Sequence, residues 1–131
     1  MAIEAIINGY TLVGKPAAFA VHISGGANSH ERTVPLTTKS RYQAELAAIK
    51  YVCAALPNKD VKLVIKTADA HLSSIFKKKK DGSWIKRKRP NKLVDEVREL
   101  SEQFDEFVCE LDSDSDLMVR VKEMAKRPSR I

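Results

Sequence analysis

The sequence lacks any apolar run approaching the roughly 20 residues that cross a bilayer, which leaves no candidate for a membrane-spanning helix. Its first residues, Met-Ala-Ile-Glu-Ala-Ile-Ile-Asn, lack the basic stretch and long apolar stretch of a secretory signal, so a cytoplasmic location is expected. Cysteine is scarce. Cys53 and Cys109 stand far apart in apolar periodic segments with no clustered histidines, which excludes a disulfide framework and a zinc site and predicts two buried, reduced thiols. No internal repeat and no linker divides the chain, so one domain over residues 1–127 with a short tail, 128–131, is expected, acting as a monomer. The opening apolar segment also contains no aspartate.

What the chain does have suits one ordinary core: 44% of its 131 residues are hydrophobic and 31% charged. The net charge of +6 is distributed unevenly. Residues 1–94 carry 17 Lys and Arg against 6 Asp and Glu, whereas residues 95–116 carry ten acids against Arg98 alone, and 117–131 carry five bases against one acid. A basic body with a separate acidic segment points to a polyanionic partner plus a local cation site or repulsive site.

Hydrophobic periodicity orders the chain as β-β-β-α-β-α-α-β-α. Ile3–Asn8 alternates, with Glu4, Ile6 and Asn8 on one face and Ile3, Ala5 and Ile7 on the other. Gly9 and Gly14-Lys15-Pro16 are turn signals, Ala17–Ser24 is a second strand, Gly25-Gly26-Ala27-Asn28 a turn, and Glu31–Leu36 a third strand. Leu46, Ile49, Val52, Cys53 and Leu56 mark a helix that Thr38 or Ser40 can cap and Pro57 ends. A strand over Val61–Lys66, a short helix over Ala70–Lys78 and a helix after Asn91 carrying Leu93, Val94, Val97, Leu100 and Phe104 follow. Glu106–Leu111 reads as the last strand, and Ser113 or Ser115 opens a final helix that stops before Pro128. A meander followed by alternating elements makes a mixed α/β fold, a five-stranded mixed sheet with helices on its faces.

Three acids stand where such a fold can bring them to one sheet edge: Glu45 early in the first helix, Asp69 after the fourth strand and Asp116 at the start of the last helix. A cluster of that kind holds hard divalent cations, which can activate water against a phosphodiester. For each acid a plainer role competes: a solvent-facing helix residue for Glu45, and helix capping for Asp69 and Asp116. The run Asp112-Ser-Asp-Ser-Asp116 also imitates the start of a calcium loop, but Leu117 occupies the position that needs glycine.

Taken together, Ile6-Ile7-Asn8-Gly9-Tyr10, Arg41 through Glu45 to Ile49, Ile65-Lys66-Thr67-Ala68-Asp69-Ala70, Gly82-Ser83-Trp84 through Leu93, and Asp116 with its helix resemble the ribonuclease H family. The resemblance runs through most of the chain. It implies a ribonuclease H-like fold, RNA–DNA hybrid or duplex as partner, Mg²⁺ or Mn²⁺ as cofactor, and Glu45, Asp69 and Asp116 as metal-binding and catalytic residues. The chain departs from the family at Asn8, which occupies the place of the acid that both metals share. An amide brings no negative charge, so metal binding and charge balance in the transition state are weakened. Glu4 shares a strand face with Asn8 but lies roughly 6.5–7 Å along the strand, too far to replace it. The connection Leu111–Asp116 is too short for the family's histidine loop.

The segment 77–90 resembles a basic handle found in some members of that family. Lys77, Lys78, Lys79, Lys80, Lys86, Arg87, Lys88 and Arg89 surround Trp84 there and can neutralise phosphates, while Trp84 can stack on a base or pack the segment onto the domain. A solvated charge run is the plainer alternative. Gln43 and His71, with Tyr42, are the candidate readers of the 2′-hydroxyl. The expected function is hybrid or duplex binding with impaired or absent cleavage. The alternatives are an active metal-dependent ribonuclease H with an atypical site, and a protein-interaction module using the acidic residues 95–116. An aspartate in place of Asn8 is expected to create or raise cleavage.

Overall fold

A computed structural model of the chain describes residues 2–11, 16–25, 28–38, 40–87, 89 and 91–126. The predicted turn residues Gly14-Lys15 and Gly26-Ala27, the basic residue Lys88 and the tail 128–131 lie outside them.

Among the described residues nine elements form in the predicted order: β1 (Ala2–Tyr10), β2 (Ala18–Gly25), β3 (Asn28–Pro35), α1 (Arg41–Ala55), β4 (Lys62–Thr67), α2 (Ala70–Ile75), α3 (Lys92–Ser101), β5 (Glu106–Leu111) and α4 (Asp116–Lys126). The strands make one sheet ordered β3-β2-β1-β4-β5. The meander pairs antiparallel, β1 with β2 and β2 with β3, whereas β4 lies parallel to β1 and β5 parallel to β4. The sheet is therefore mixed, with β1 at its centre.

Alternation along β1 divides the core in two. Ala5 and Ile7 face the larger core, where Leu46, Ile49, Val52 and Cys53 of α1 meet Leu63 and Ile65 of β4 and Val94 and Val97 of α3. Ile6 faces the opposite side, where Met118, Val121 and Ala125 of α4 pack with Ala20 of β2. α1 buries a broad face, because the sheet lies on one side of it and α3 packs against it on another. α4 is tied to the meander by a two-pronged ion pair, with Arg120 Nε and Nη2 each 2.8 Å from a carboxylate oxygen of Glu31 on β3.

Caps decide several boundaries. The Ser40 hydroxyl, not Thr38, accepts from the Gln43 amide and starts α1. Ser115, not Ser113, caps α4 by accepting from the Met118 amide, so Asp116 is the first helical residue and not the cap. Asn91 caps α3. Two sequence expectations need correction. Gly9 is not a turn but lies within β1, where a side chain would collide with α1. The helix expected over Ala70–Lys78 ends at Ile75, because the chain turns back to bridge Lys78 with Trp84.

Both thiols are buried and unpaired. Burial pushes Cys53 up to about 11 and Cys109 up to about 12, so neither is a nucleophile near neutral pH. Among the described residues no helix is long and apolar enough to cross a membrane.

Candidate nucleic-acid interface

The carboxyl ends of the parallel strands β1 and β4 lie side by side and gather the candidate residues. The paired register runs to Ile6 opposite Lys66, so Asn8 and Ala68 stand at matching positions just beyond it. Asn8 is 4% exposed and its Nδ2 has no hydrogen-bond partner among the described residues. The next residue lets α1 approach: a Cβ on Gly9 would lie 2.8 Å from Glu45 Cγ and 2.9 Å from the Arg41 carbonyl.

Glu45 is therefore not solvent-facing. It is fully buried against the strand ends, and Thr67 Oγ1 donates to its Oε1 at 3.0 Å. Arg41, one helical turn earlier, brings Nε within 3.4 Å of Oε2, which has no hydrogen bond of its own. Burial pushes the Glu45 carboxyl up to about 7. Arg41 and the Thr67 hydrogen bond oppose that shift, the charge of Asp69 adds to it, and Lys122 opposes it.

Asp69 takes the capping role, accepting from the His71 and Leu72 amides through Oδ1 and starting α2. Asp116 lies exposed in the first turn of α4. The fold thus brings Glu45 and Asp69 within electrostatic reach of each other. Among the described residues, no three His, Cys, Asp or Glu side chains come together as a group that could hold a metal ion. Glu4 serves elsewhere, paired at 2.7 Å with Lys66.

The donor set fits poorly with a two-metal centre. Asn8 supplies no charge, one Glu45 oxygen is held by Thr67 and the other faces Arg41, and Asp69 Oδ1 is engaged in capping. A cleft of about 250 Å³ opens over Asn8, and its lining includes Gly9, Tyr10, Arg41, Lys122 and Lys126. The charged side chains on that wall are cations. Arg41, Lys122 and Lys126 were not anticipated from the sequence; the only signal was the spacing of Arg41 four residues before Glu45 on one helix.

The basic segment divides at Trp84. Lys77 and Lys78 stand beside Glu102 and the start of β5, where Lys78 Nζ is 3.6 Å from Glu102 and 4.6 Å from the Trp84 ring centroid. Lys79 and Lys80 are exposed on the turn closed by Gly82, whose φ of +87° suits glycine. Trp84 is half-buried. Its Nε1 donates to Glu102 at 2.8 Å and the Arg98 guanidinium lies 5.2 Å from its ring. Of the two roles open to Trp84, the geometry matches packing.

After Trp84 the chain crosses to α2. There Lys86, Arg87, Arg89, Arg98, His71 and Ser74 line a groove of about 410 Å³. Arg98, the lone base of the acidic stretch, holds the groove together by donating from Nη2 to the Ile75 and Ile85 carbonyls at 2.7 and 3.0 Å. Burial lowers its pKa below the usual arginine value. Tyr42 on α1 accepts from Arg87 at 3.3 Å and its ring lies 5.6 Å from that of His71, which joins the groove to the helix carrying Glu45. Gln43 lies beside Tyr42, half-buried, its backbone amide spent on the Ser40 cap. The acids of 95–116 are spread over α3, the connection to β5, β5 itself, the following loop and the start of α4. Glu96, Glu102 and Glu106 pair with Lys50, Lys78 and Lys62.

The mixed five-stranded sheet with its helices matches known structures. LC11-RNase H1, solved in complex with an RNA/DNA hybrid, superposes with a TM-score of 0.75 at 16% identity over 95% of this chain and 94% of that one. The fold is that of ribonuclease H. The N-terminal RNase H domain of a Mycobacterium tuberculosis protein, solved as a fusion with maltose-binding protein, gives a TM-score of 0.75 at 14% identity over 96% and 97% of the two chains. The foamy viral protease–reverse transcriptase, in complex with an RNA/DNA hybrid, matches with a TM-score of 0.69 at 11% identity over 98% of this chain and 20% of that one. No family model matches the sequence, and neither does any curated protein.

Proposed function

We propose that this ribonuclease H-like domain binds nucleic acid, RNA–DNA hybrid or duplex, with cleavage impaired or absent. The observation that carries the reading is the groove, in which Lys86, Arg87, Arg89 and Arg98 stand with His71 beside the strand-end cluster. Fixed cations at one end of an open groove neutralise successive phosphates, and counterion release then drives binding. Tyr42 and His71, whose rings lie 5.6 Å apart at the junction with α1, would read the sugar edge, together with Gln43, the residue after Tyr42. Two hybrid-bound neighbours of the same fold support the choice of ligand.

The impairment rests on Asn8. Hydrolysis through Mg²⁺ or Mn²⁺ at Glu45, Asp69 and Asp116, the arrangement the family resemblance implies, lacks one anionic ligand at its centre. Cations line the cleft where that charge is missing.

Fluorescence anisotropy with a labelled RNA–DNA hybrid tests the binding, with cleavage of the same substrate followed on gels in Mg²⁺ and Mn²⁺. Expected are affinity that falls steeply with salt, a salt slope reduced by about 3 when Lys86, Arg87 and Arg89 become Gln, and an intact RNA strand. Binding indifferent to salt and to these substitutions would overturn the groove assignment. Mn²⁺-dependent cutting by the wild type that Asp69→Asn abolishes would instead establish a working hydrolase.

A further inference from the structure

The cleft over Asn8 combines two features that a metal centre does not need. The first is its charge. Arg41 from the start of α1 and Lys122 and Lys126 from α4 line it, supplied by helices on opposite faces of the sheet. These cations are only partly satisfied by their neighbours. Lys122 Nζ donates to the Ser113 carbonyl at 3.1 Å, Lys126 is 3.6 Å from the exposed Glu123 carboxylate, and Arg41 is 3.4 Å from Glu45. Lys126 also lies 6.0 Å from the centroid of the Tyr10 ring. The second feature is the Asn8 amide, 4% exposed, lining the cleft with its Nδ2 unpartnered among the described residues. A buried donor without a partner is destabilising, and a bound acceptor at the mouth of the cleft would relieve it.

A cation finds repulsion here, whereas a tetrahedral anion finds three positive side chains and an amide donor. With a water's share of liquid volume near 30 Å³, about 250 Å³ accommodates a phosphate group and its waters. We propose that this cleft is a phosphate-binding site, in which Arg41, Lys122, Lys126 and the Asn8 amide take a backbone phosphate of the bound nucleic acid directly. The inference rests on the nucleic-acid reading for the source of the phosphate, and on the cleft alone for the phosphate chemistry. It places protein cations where the resemblance calls for metal ions, so the same strand end grips the backbone without activating a water.

The test is an NMR titration of ¹⁵N-labelled protein, following the Asn8 side-chain NH₂ and the Gly9 amide. The probes are inorganic phosphate, magnesium chloride and a short RNA–DNA hybrid. Inorganic phosphate and the hybrid are expected to shift both signals saturably, and magnesium chloride to leave them in place. The double variant Lys122→Gln/Lys126→Gln replaces side chains outside the core. It should lose the phosphate response and lower the salt slope of hybrid binding by about 2. Shifts with magnesium and none with phosphate overturn the proposal. So does hybrid binding with an unchanged slope in the double variant and no shift at Asn8, a result that leaves the groove reading standing. Shifts with inorganic phosphate in a protein that binds no hybrid at any salt sink the nucleic-acid source and leave a site for free phosphate.

Discussion

Thr67 Oγ1 donates to Glu45 Oε1 at 3.0 Å and so ties the end of β4 to the second turn of α1. The bond reaches a carboxyl that burial holds up to about 7. A carboxyl raised in the folded state holds its proton more tightly there than in the unfolded chain. Its contribution is therefore favourable below about 4.5 and is lost as pH rises towards 7. Glu45→Gln keeps an oxygen for Thr67 and carries no charge. It is expected to stabilise the protein at pH 8 by on the order of 2–3 kcal/mol and to have little effect at pH 4.5. Urea denaturation at the two values checks this, and equal effects at both would refute it.

Gly9 controls how closely that helix lies on β1. A methyl group there would sit 2.8 Å from Glu45 Cγ and 2.9 Å from the backbone oxygen of Arg41, and the backbone cannot rotate away. Gly9→Ala should cost about 1–3 kcal/mol by overpacking. Because Arg41 and Tyr42 share the displaced turn, hybrid affinity should fall as well. Denaturation midpoints and anisotropy measure the two effects, and a variant as stable as the wild type would show that α1 can retreat freely.

Most of the architecture was legible in the sequence because each element carries its own signal. Val61 to Ile65 is an apolar run too short for a helix, and the Leu46–Cys53 stripe has only a helical period. Gly9 misled because a glycine needed for close approach looks the same in sequence as one needed for a turn. The end of α2 was missed because Phe76 continues its apolar pattern, and only the Lys78–Trp84 bridge, formed with a residue further along the chain, stops the helix. The site divides the same way. Of the candidate residues, Asn8 and Asp69 stand at the ends of apolar segments and Glu45 early in a helix, which made them candidates by position. Arg41, Lys122 and Lys126 read as ordinary helix cations, and only tertiary packing of α1 and α4 around β1 puts them on one cleft. Arg98 read as an exception within an acidic run, whereas it fastens the basic segment to α2.

Trp84 is the sole tryptophan, so its emission reports on one place. Its indole donates to Glu102 and lies against Lys78 and Arg98, which occupies the ring in packing and leaves it unsuited to base stacking. Saturating hybrid should therefore leave its fluorescence largely unquenched, whereas Trp84→Ala should loosen the segment and lower stability by about 1–2 kcal/mol. Strong quenching on binding would return Trp84 to the stacking role.

Asn8→Asp reverses the chemistry of the cleft with one atom exchanged for another of nearly equal size. The new carboxylate sits beside Arg41 and Lys122, which cancels part of the positive field that receives a phosphate. It also adds an anionic oxygen one residue before Gly9, against which Glu45 packs, at the position where the family resemblance calls for an acid. Groups that merely touch a metal's ligands change its affinity by roughly 10–100-fold, so a direct anionic ligand is expected to act on at least that scale. Calorimetry should show Mn²⁺ binding tightened roughly tenfold or more, anisotropy in EDTA should show weaker hybrid binding, and cutting of the RNA strand in Mn²⁺ should rise above the wild-type level. Adding Lys122→Gln should raise cutting further, because a competing cation leaves the cleft. If the aspartate changes neither metal binding nor hybrid affinity, position 8 does not face the ligand, and the assignment of the cleft falls with it.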